Sequence, residues 1–196
     1  MRRIALFASA FLALGCATVH QNEHVGFHFQ ADIGAGGSQS TASDSGIDAK
    51  YSGGAGLFSV GAGGAVVPNL ILGAQIWGSS VPDVRLTIDG ESRTISDLTY
   101  QTYGIGPMVK YYFMPINVYV AATPSFGQLS LRDDQSSDET KWGPALRLAL
   151  GKEWYASQRW GLGVAGVLHL ASNKPEGGGP TWTTLGGGVV FSASYN

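Results

Sequence analysis

The chain has 196 residues, a formal net charge of −2 and 13% charged residues, about half the roughly 25% of an ordinary soluble domain. This length suits one domain, and the lack of any basic stripe excludes nucleic acid as an expected partner. Few charges, 29 glycines and a near-neutral mean hydropathy are typical of a membrane β-barrel, because half of each strand faces lipid and half faces a polar lumen.

Residues 1–17 have the pattern of an export signal. Arg2 and Arg3 form a positive start, and the apolar run 4–14 is too short to span a bilayer as a helix. Gly15-Cys16 resembles a bacterial lipobox, which makes Cys16 a candidate for lipidation; ordinary cleavage shortly after these residues is the alternative. Cys16 is the only cysteine, so no internal disulfide is expected.

A polar lead, 18–24, precedes the first predicted strand, Val25–Ala35. Every second residue of this strand is apolar, and the residues between them include His28, Gln30 and Asp32. Because side chains alternate across a strand, the segment has one apolar face and one polar face.

Seven further extended segments follow, and the connections between segments alternate between long and short. The short ones contain turn residues such as Pro68-Asn69. The long ones are polar and are predicted as loops 36–50, 79–97, 132–141 and 173–180. This rhythm predicts an all-β fold over 25–196: an eight-stranded antiparallel up-and-down transmembrane barrel with its termini on the periplasmic side. No transmembrane helix is expected, because the sequence has no run of about 18 apolar residues. Pro124 predicts a bulge in the fifth strand.

The aromatic residues cluster near the predicted strand ends. Belts at the two membrane interfaces are therefore expected. The belt beside the short turns would contain Tyr111, Tyr112, Phe113, Tyr119, Trp154, Tyr155, Trp160 and Tyr195, and the belt near the long loops Tyr51, Trp77, Tyr100, Tyr103, Trp142 and Trp182.

The C-terminal half contains the segments YYFMPINVY (111–119), LGKEW (150–154) and WGLGVA (160–165). With the closing segment FSASYN (191–196), they resemble a set of small outer-membrane β-barrel proteins from myxobacteria-type bacteria. The architecture is also similar to the eight-stranded barrels of the outer-membrane protein A and X type. This resemblance implies a fold and an outer-membrane location rather than an activity. Such barrels often end in phenylalanine, whereas this chain ends in Tyr195-Asn196.

An eight-stranded barrel is just wide enough for side chains to fill it. The inward polar residues are expected to pair and fill the lumen, because an unpaired buried charge is costly. This structural network is predicted to contain His28, Asp32, Lys110, Arg147, Glu153 and His169. The alternative is a narrow pore or small-ligand transporter, since inward glycines leave space.

Enzymatic chemistry is not expected. His169 and Ser172 fall on opposite faces of one strand and form no nucleophile–base pair, and no spacing resembles a metal or cofactor site. A soluble lipocalin-like periplasmic carrier, with its apolar face inward, is a further alternative that face alternation alone does not exclude. The expected partners are outer-membrane lipid, the barrel-assembly machinery, and an extracellular or envelope component that contacts the four long loops.

Overall fold

A computed structural model describes residues 23–44, 47–96, 98–133 and 137–196. The predicted signal peptide and Cys16 lie outside the described residues. Within those residues, no helix is long and apolar enough to cross a membrane.

The described residues form strands that pair antiparallel throughout. Eight of them close into a barrel, because β1 pairs with β2 on one side and with β11 on the other. The closed order is β1-β2-β3-β6-β7-β9-β10-β11, which confirms the predicted fold class. The strands are β1 (Phe27–Asp44), β2 (Ile47–Val67), β3 (Leu70–Val81), β4 (Val84–Ile88), β5 (Glu91–Ile95), β6 (Thr99–Phe113), β7 (Val118–Arg132), β8 (Ser137–Glu139), β9 (Gly143–Tyr155), β10 (Trp160–Asn173) and β11 (Trp182–Tyr195).

Local chemistry explains the short turns at one end of the barrel. Asn69 and Asn117 adopt left-handed backbone angles, with φ of 68° and 53°, which asparagine tolerates better than most residues. At the opposite end, Asp89 and Gly90 both have positive φ, 47° and 87°. A two-residue loop of this kind has the twist that a tight hairpin needs, so it joins β4 directly to β5.

The outer wall of the barrel is apolar and the inside is largely polar. On β1, Phe27 and Ile33 are exposed, whereas His28, Gln30 and Asp32 are buried. The same alternation is regular on β6, β10 and β11. This is the reverse of the arrangement in a soluble carrier barrel, which needs its apolar face inside.

The predicted loop 36–50 is instead mostly strand. β1 continues to Asp44 and β2 begins at Ile47, and the two stay in register up to the pair Asp44–Ile47. The Gly- and Ser-rich composition suggested a loop, but pairing between the two strands satisfies their backbone hydrogen bonds. The hairpin therefore extends roughly 30 Å along the strand beyond Ala35, at about 3.3 Å per residue.

The predicted loop 79–97 also carries regular structure. β3 continues to Val81, and the rest holds the hairpin of β4 and β5, with β4 paired to the outer part of β2. The predicted loop 132–141 contains the short strand β8, which pairs with β7.

Four aromatic residues assigned to the belts lie inside the barrel instead. Trp77, Tyr100, Tyr112 and Tyr119 are almost completely buried. Their positions in the alternation of β3, β6 and β7 point them inward, and position along the strand alone does not reveal this. The outer belts therefore contain fewer aromatic residues than predicted.

The predicted bulge at Pro124 is also absent from the described β7. Strand β6 pairs Ile105 with Phe126 and Val109 with Ala122, so the register is the same on both sides of the proline. A register shift occurs instead in β2, between Ala65 and Val67.

Candidate functional site

The lumen brings together the polar side chains that the strands direct inward. Lys110 on β6 and Glu153 on β9 form an ion pair, with Nζ 2.8 Å from Oε1, and both side chains are buried. Tyr112 and Ser194 each donate a hydrogen bond to the Glu153 carboxylate, at 2.9 and 2.7 Å. The Lys110 ammonium also lies 3.8 Å from the centre of the Tyr119 ring. The buried charges thus have the partners that burial demands.

A second ion pair lies beside the first. Arg147 Nη2 is 3.2 Å from Asp32 Oδ2, and Gln30 and Ser59 both donate to the same carboxylate. Arg147 also donates to Gln75 Oε1 over 3.3 Å.

Gln30 connects the two ion pairs. Its Oε1 accepts a hydrogen bond from Lys110, and its Nε2 donates to Asp32 over 2.6 Å. The buried charges therefore belong to one continuous network in which two cations balance two carboxylates. Such a network is stable in a low dielectric only when its members are satisfied.

His169 lies apart from this network, nearer the long connections. Its Nε2 is 3.3 Å from Ser79 Oγ, and its ring centroid is 5.3 Å from that of Trp77. A Cβ on Gly186 would come within 2.3 Å of the same Nε2, so a glycine is needed beside the ring. Ser79, 90 residues away in the chain, is a partner that sequence spacing could not reveal.

The end of the barrel with the short turns is closed by His24, a residue outside the predicted polar network of the lumen. His24 is buried, and its ring stacks on Tyr112 with centroids 3.5 Å apart. Its Nε2 lies 2.9 Å from Asn117 Oδ1 and 3.2 Å from the Tyr155 hydroxyl. Its backbone exchanges hydrogen bonds with Asn69. Only its place in the polar lead could have drawn attention to it.

His28 lies next to His24 on the lumen side, and its Nδ1 is 2.7 Å from Asn196 Oδ1. Both imidazoles thus use one nitrogen on an amide oxygen. The other nitrogens, His24 Nδ1 and His28 Nε2, have no hydrogen-bond partner, and neither do the amide nitrogens of Asn117 and Asn196. Because buried polar atoms are normally satisfied, this part of the lumen suits ordered water.

The opposite end of the lumen is covered by apolar side chains. Val84 and Leu86 of β4 are buried, and the Tyr51 ring stacks on Trp182 with centroids 5.0 Å apart. The lumen is therefore filled at both ends as well as in the middle. Within the described residues, no group of three or more His, Cys, Asp or Glu side chains is placed to hold a metal ion.

No protein-family model matches the chain, and no curated protein sequence matches it. The fold is similar to the crystal structure of Neisserial surface protein A (NspA), with a TM-score of 0.55 and 16% identity over 86% of this chain and 96% of that one. Weaker matches are the outer membrane protease OmpT from Escherichia coli (TM-score 0.46, 9% identity, 91% and 98% covered) and the outer membrane protein OprG from Pseudomonas aeruginosa (0.44, 12%, 89% and 97%). At this level of identity the likeness to NspA shows the fold alone, a small β-barrel.

Proposed function

We propose that the chain is a non-enzymatic bacterial outer-membrane β-barrel with a closed lumen. The barrel is a rigid scaffold, and the long connections at one end form its interaction surface. The observation that carries the proposal is the combination of an apolar outer wall with a buried, charge-balanced interior. We also propose that the chain belongs to the small outer-membrane barrels of myxobacteria-type bacteria, and this part of the proposal rests on sequence resemblance.

The outer wall supports a lipid environment. Ile33 on β1 pairs directly with Phe58 on β2 and with Phe191 on β11, and these side chains are 73%, 50% and 65% exposed. Monomeric soluble proteins rarely expose apolar patches of more than a few hundred Å². Further along β1, the outward positions are occupied by Gly37, Gln39, Thr41 and Ser43, so the apolar band ends where the hairpin continues into a polar region.

The arrangement of the connections supports an orientation. The short turns and both ends of the described barrel lie together, as periplasmic ends do in such proteins, and the longer connections lie opposite. On this proposal, the barrel-assembly machinery inserts the chain after export, and the β1–β2 extension and the β4–β5 hairpin face the outside.

The paired interior supports a structural role over free diffusion. Lys110, Glu153, Asp32 and Arg147 bind one another instead of facing a water-filled channel. His24 and the cluster around Val84 fill the two ends. A solute would have to break buried ion pairs to pass.

Planar-bilayer conductance tests the closed lumen. The folded protein, reconstituted at a known insertion level, is expected to give no stable conductance step; an open porin reconstituted identically is the positive control. A reproducible single-channel step would reject the closed barrel in favour of the narrow pore, for which the unpartnered polar atoms near His28 are the supporting observation.

Location and orientation need a separate test. In a Cys16→Ser background, a cysteine at Lys174 in a long connection should react with a membrane-impermeant maleimide on intact cells. A cysteine at Ser157 in a short turn should react only after the outer membrane is permeabilised. The opposite pattern would reverse the orientation, and recovery of the protein in the carbonate-soluble fraction would reject the membrane location.

A further inference from the structure

Within the described residues, the β4–β5 hairpin ends the sheet and leaves one strand edge open. In the described sheet, β5 pairs with β4, and no other described strand pairs with it. Its residues Glu91, Ser92, Arg93 and Thr94 are exposed. An open edge presents backbone donors and acceptors that an extended chain can use.

The register identifies which backbone groups are open. The two-residue turn makes Ile88 and Glu91 the hydrogen-bonded pair that closes the hairpin, and the pattern then alternates along the strands. Ser92 and Thr94 therefore direct their backbone N–H and C=O groups away from β4. On β4, the same alternation directs the backbone groups of Arg85 and Thr87 toward β2, which lies on that side of the strand.

We propose that the β5 edge binds an extended segment of a partner protein as an added antiparallel strand. The proposal deepens the surface role assigned above and rests on it for the statement that the edge faces a partner. The backbone groups of Ser92 and Thr94 supply the hydrogen bonds. The side chains of Glu91, Arg93 and Ile95, which share one face of β5, supply the selectivity.

The charges on that face specify the partner. Directly opposed side chains stabilise a sheet when their charges are opposite and destabilise it when they are alike. The best segment places an acidic residue opposite Arg93 and a basic residue opposite Glu91. Since the added strand runs antiparallel, its sequence reads apolar–x–acidic–x–basic, with the apolar residue opposite Ile95.

A cavity of about 580 Å³ adjoins the edge, lined by Leu86, Ile88, Asp89, Glu91, Ser92 and Arg93. The pairs Ile88–Glu91 and Leu86–Arg93 put these four side chains on one face of the hairpin. Ile88 is 42% exposed there. An added strand would extend this face and place its own side chains beside the cavity.

A second copy of this chain fits the edge less well. The antiparallel register that uses the edge groups of both Ser92 and Thr94 puts Arg93 opposite its own equivalent, which is unfavourable. The register centred on Ser92 brings Arg93 opposite Glu91 but sets Thr94 against Gly90, whose φ of 87° belongs to the turn. The short length and the charges of β5 also limit unselective pairing.

Two peptides of identical composition test the proposal. Thr-Val-Thr-Glu-Thr-Lys-Thr carries the matching order of charges, and Thr-Val-Thr-Lys-Thr-Glu-Thr the reverse. Fluorescence anisotropy with the detergent-solubilised folded barrel should give about tenfold tighter binding of the matching peptide, from two opposed charge pairs. The double variant Glu91→Arg/Arg93→Glu should invert that preference. Equal binding of both peptides, or binding of neither, overturns the proposal.

Ser92→Pro tests the backbone bonds. Proline is tolerated where a strand N–H faces solvent, and it removes that donor from the edge. It should abolish binding of the matching peptide. Thr87→Ala is the matched control, because it breaks the same exposed Thr87–Ser92 hydroxyl contact of 2.8 Å and leaves the edge intact. Unchanged binding by Ser92→Pro rejects the proposal.

Peptide chemistry gives a readout that does not depend on how the variants fold. N-methylation of the peptide threonine that lies opposite Ser92 should abolish binding to the unmodified barrel, whereas N-methylation of the adjacent glutamate should not. Equal effects of the two modifications reject strand addition. Cross-linked dimers of the Ser92→Cys variant would instead assign the edge to a second copy of the chain. All these measurements use solubilised barrel, so they are independent of the conductance and labelling tests.

Discussion

Lys110 Nζ and Glu153 Oε1 lie 2.8 Å apart inside the barrel, and both side chains are almost completely buried. The two residues lie 43 positions apart on strands that are not neighbours, so β7 separates them in the sheet. The contact is therefore made inside the lumen between two strands that do not pair with each other.

Removing one partner of this ion pair should destabilise the barrel strongly. Lys110→Met leaves the Glu153 carboxylate buried without its cation, and we expect a loss of about 3–5 kcal/mol in the free energy of unfolding. Urea titration in lipid vesicles, followed by tryptophan fluorescence, measures this change. The double variant Lys110→Met/Glu153→Gln should recover much of the loss, because no unpaired charge then remains. Additive losses in the double variant would contradict the pairing.

A charge on the apolar outer wall should cost more than the same charge beyond it. Ile33→Lys places an ammonium in the apolar band, where we expect a loss of about 2–4 kcal/mol if the band meets lipid. Thr41→Lys, on the outward face of the same strand, is the matched control and should change little. Folding yield in vesicles, read from heat-modifiable migration on gels, compares the two. Equal yields would argue against lipid around Ile33.

Glycines at tight contacts in the wall should be intolerant of a methyl group. A Cβ on Gly188 would lie 2.2 Å from the carbonyl oxygen of Ala35, so the backbone would have to move. We expect Gly188→Ala to cost about 1–3 kcal/mol, as overpacking does. A Cβ on Gly54 meets nothing within 4 Å, so Gly54→Ala should change stability by less than about 0.5 kcal/mol. Unfolding midpoints measured side by side decide between them, and similar midpoints would refute the proposed contact.

Truncation of His24 should loosen the start of the described chain from the base of the barrel. His24→Ala removes the ring stacked on Tyr112 and the hydrogen bond to Asn117. We expect faster proteolysis ahead of residue 25 while the heat-modifiable barrel persists. Glu23→Ala, which changes an exposed neighbour, should leave the cleavage rate unchanged. If both variants are cleaved alike, His24 does not hold the start of the described chain on the barrel.

Much of the barrel could be predicted from the sequence because its signal is local. Side-chain direction in a strand repeats every two residues, so the alternation around Ile33 identifies its outer and inner faces without knowledge of any neighbour. Turn residues such as Asn69 mark the short connections through their own backbone preferences. The eight strands of the barrel followed from these two features, and its closed fold from the alternation of long and short connections.

The loop predictions failed where pairing decided the structure. Gly36 to Asp44 lacks the composition of a strand, yet it becomes one because β2 supplies a continuous hydrogen-bonding partner. Trp77 was likewise predicted in the aromatic belt, because it lies near the end of its strand. The alternation of side chains along β3 directs it into the lumen instead, where its Nε1 donates a hydrogen bond to Ser125 Oγ over 3.0 Å.

By itself, the sequence determined the eight strands of the barrel, the two faces and the inward set of His28, Asp32, Lys110, Arg147, Glu153 and His169, because these depend on a period of two within each segment. Only the tertiary structure decided which inward groups meet. Lys110 with Glu153, Arg147 with Asp32, and His169 with Ser79 are contacts inside the lumen between strands that do not pair, and closure of the sheet and strand register set those distances. The closure by His24 and the open edge of β5 are likewise tertiary, since each depends on which strand or turn lies beside it.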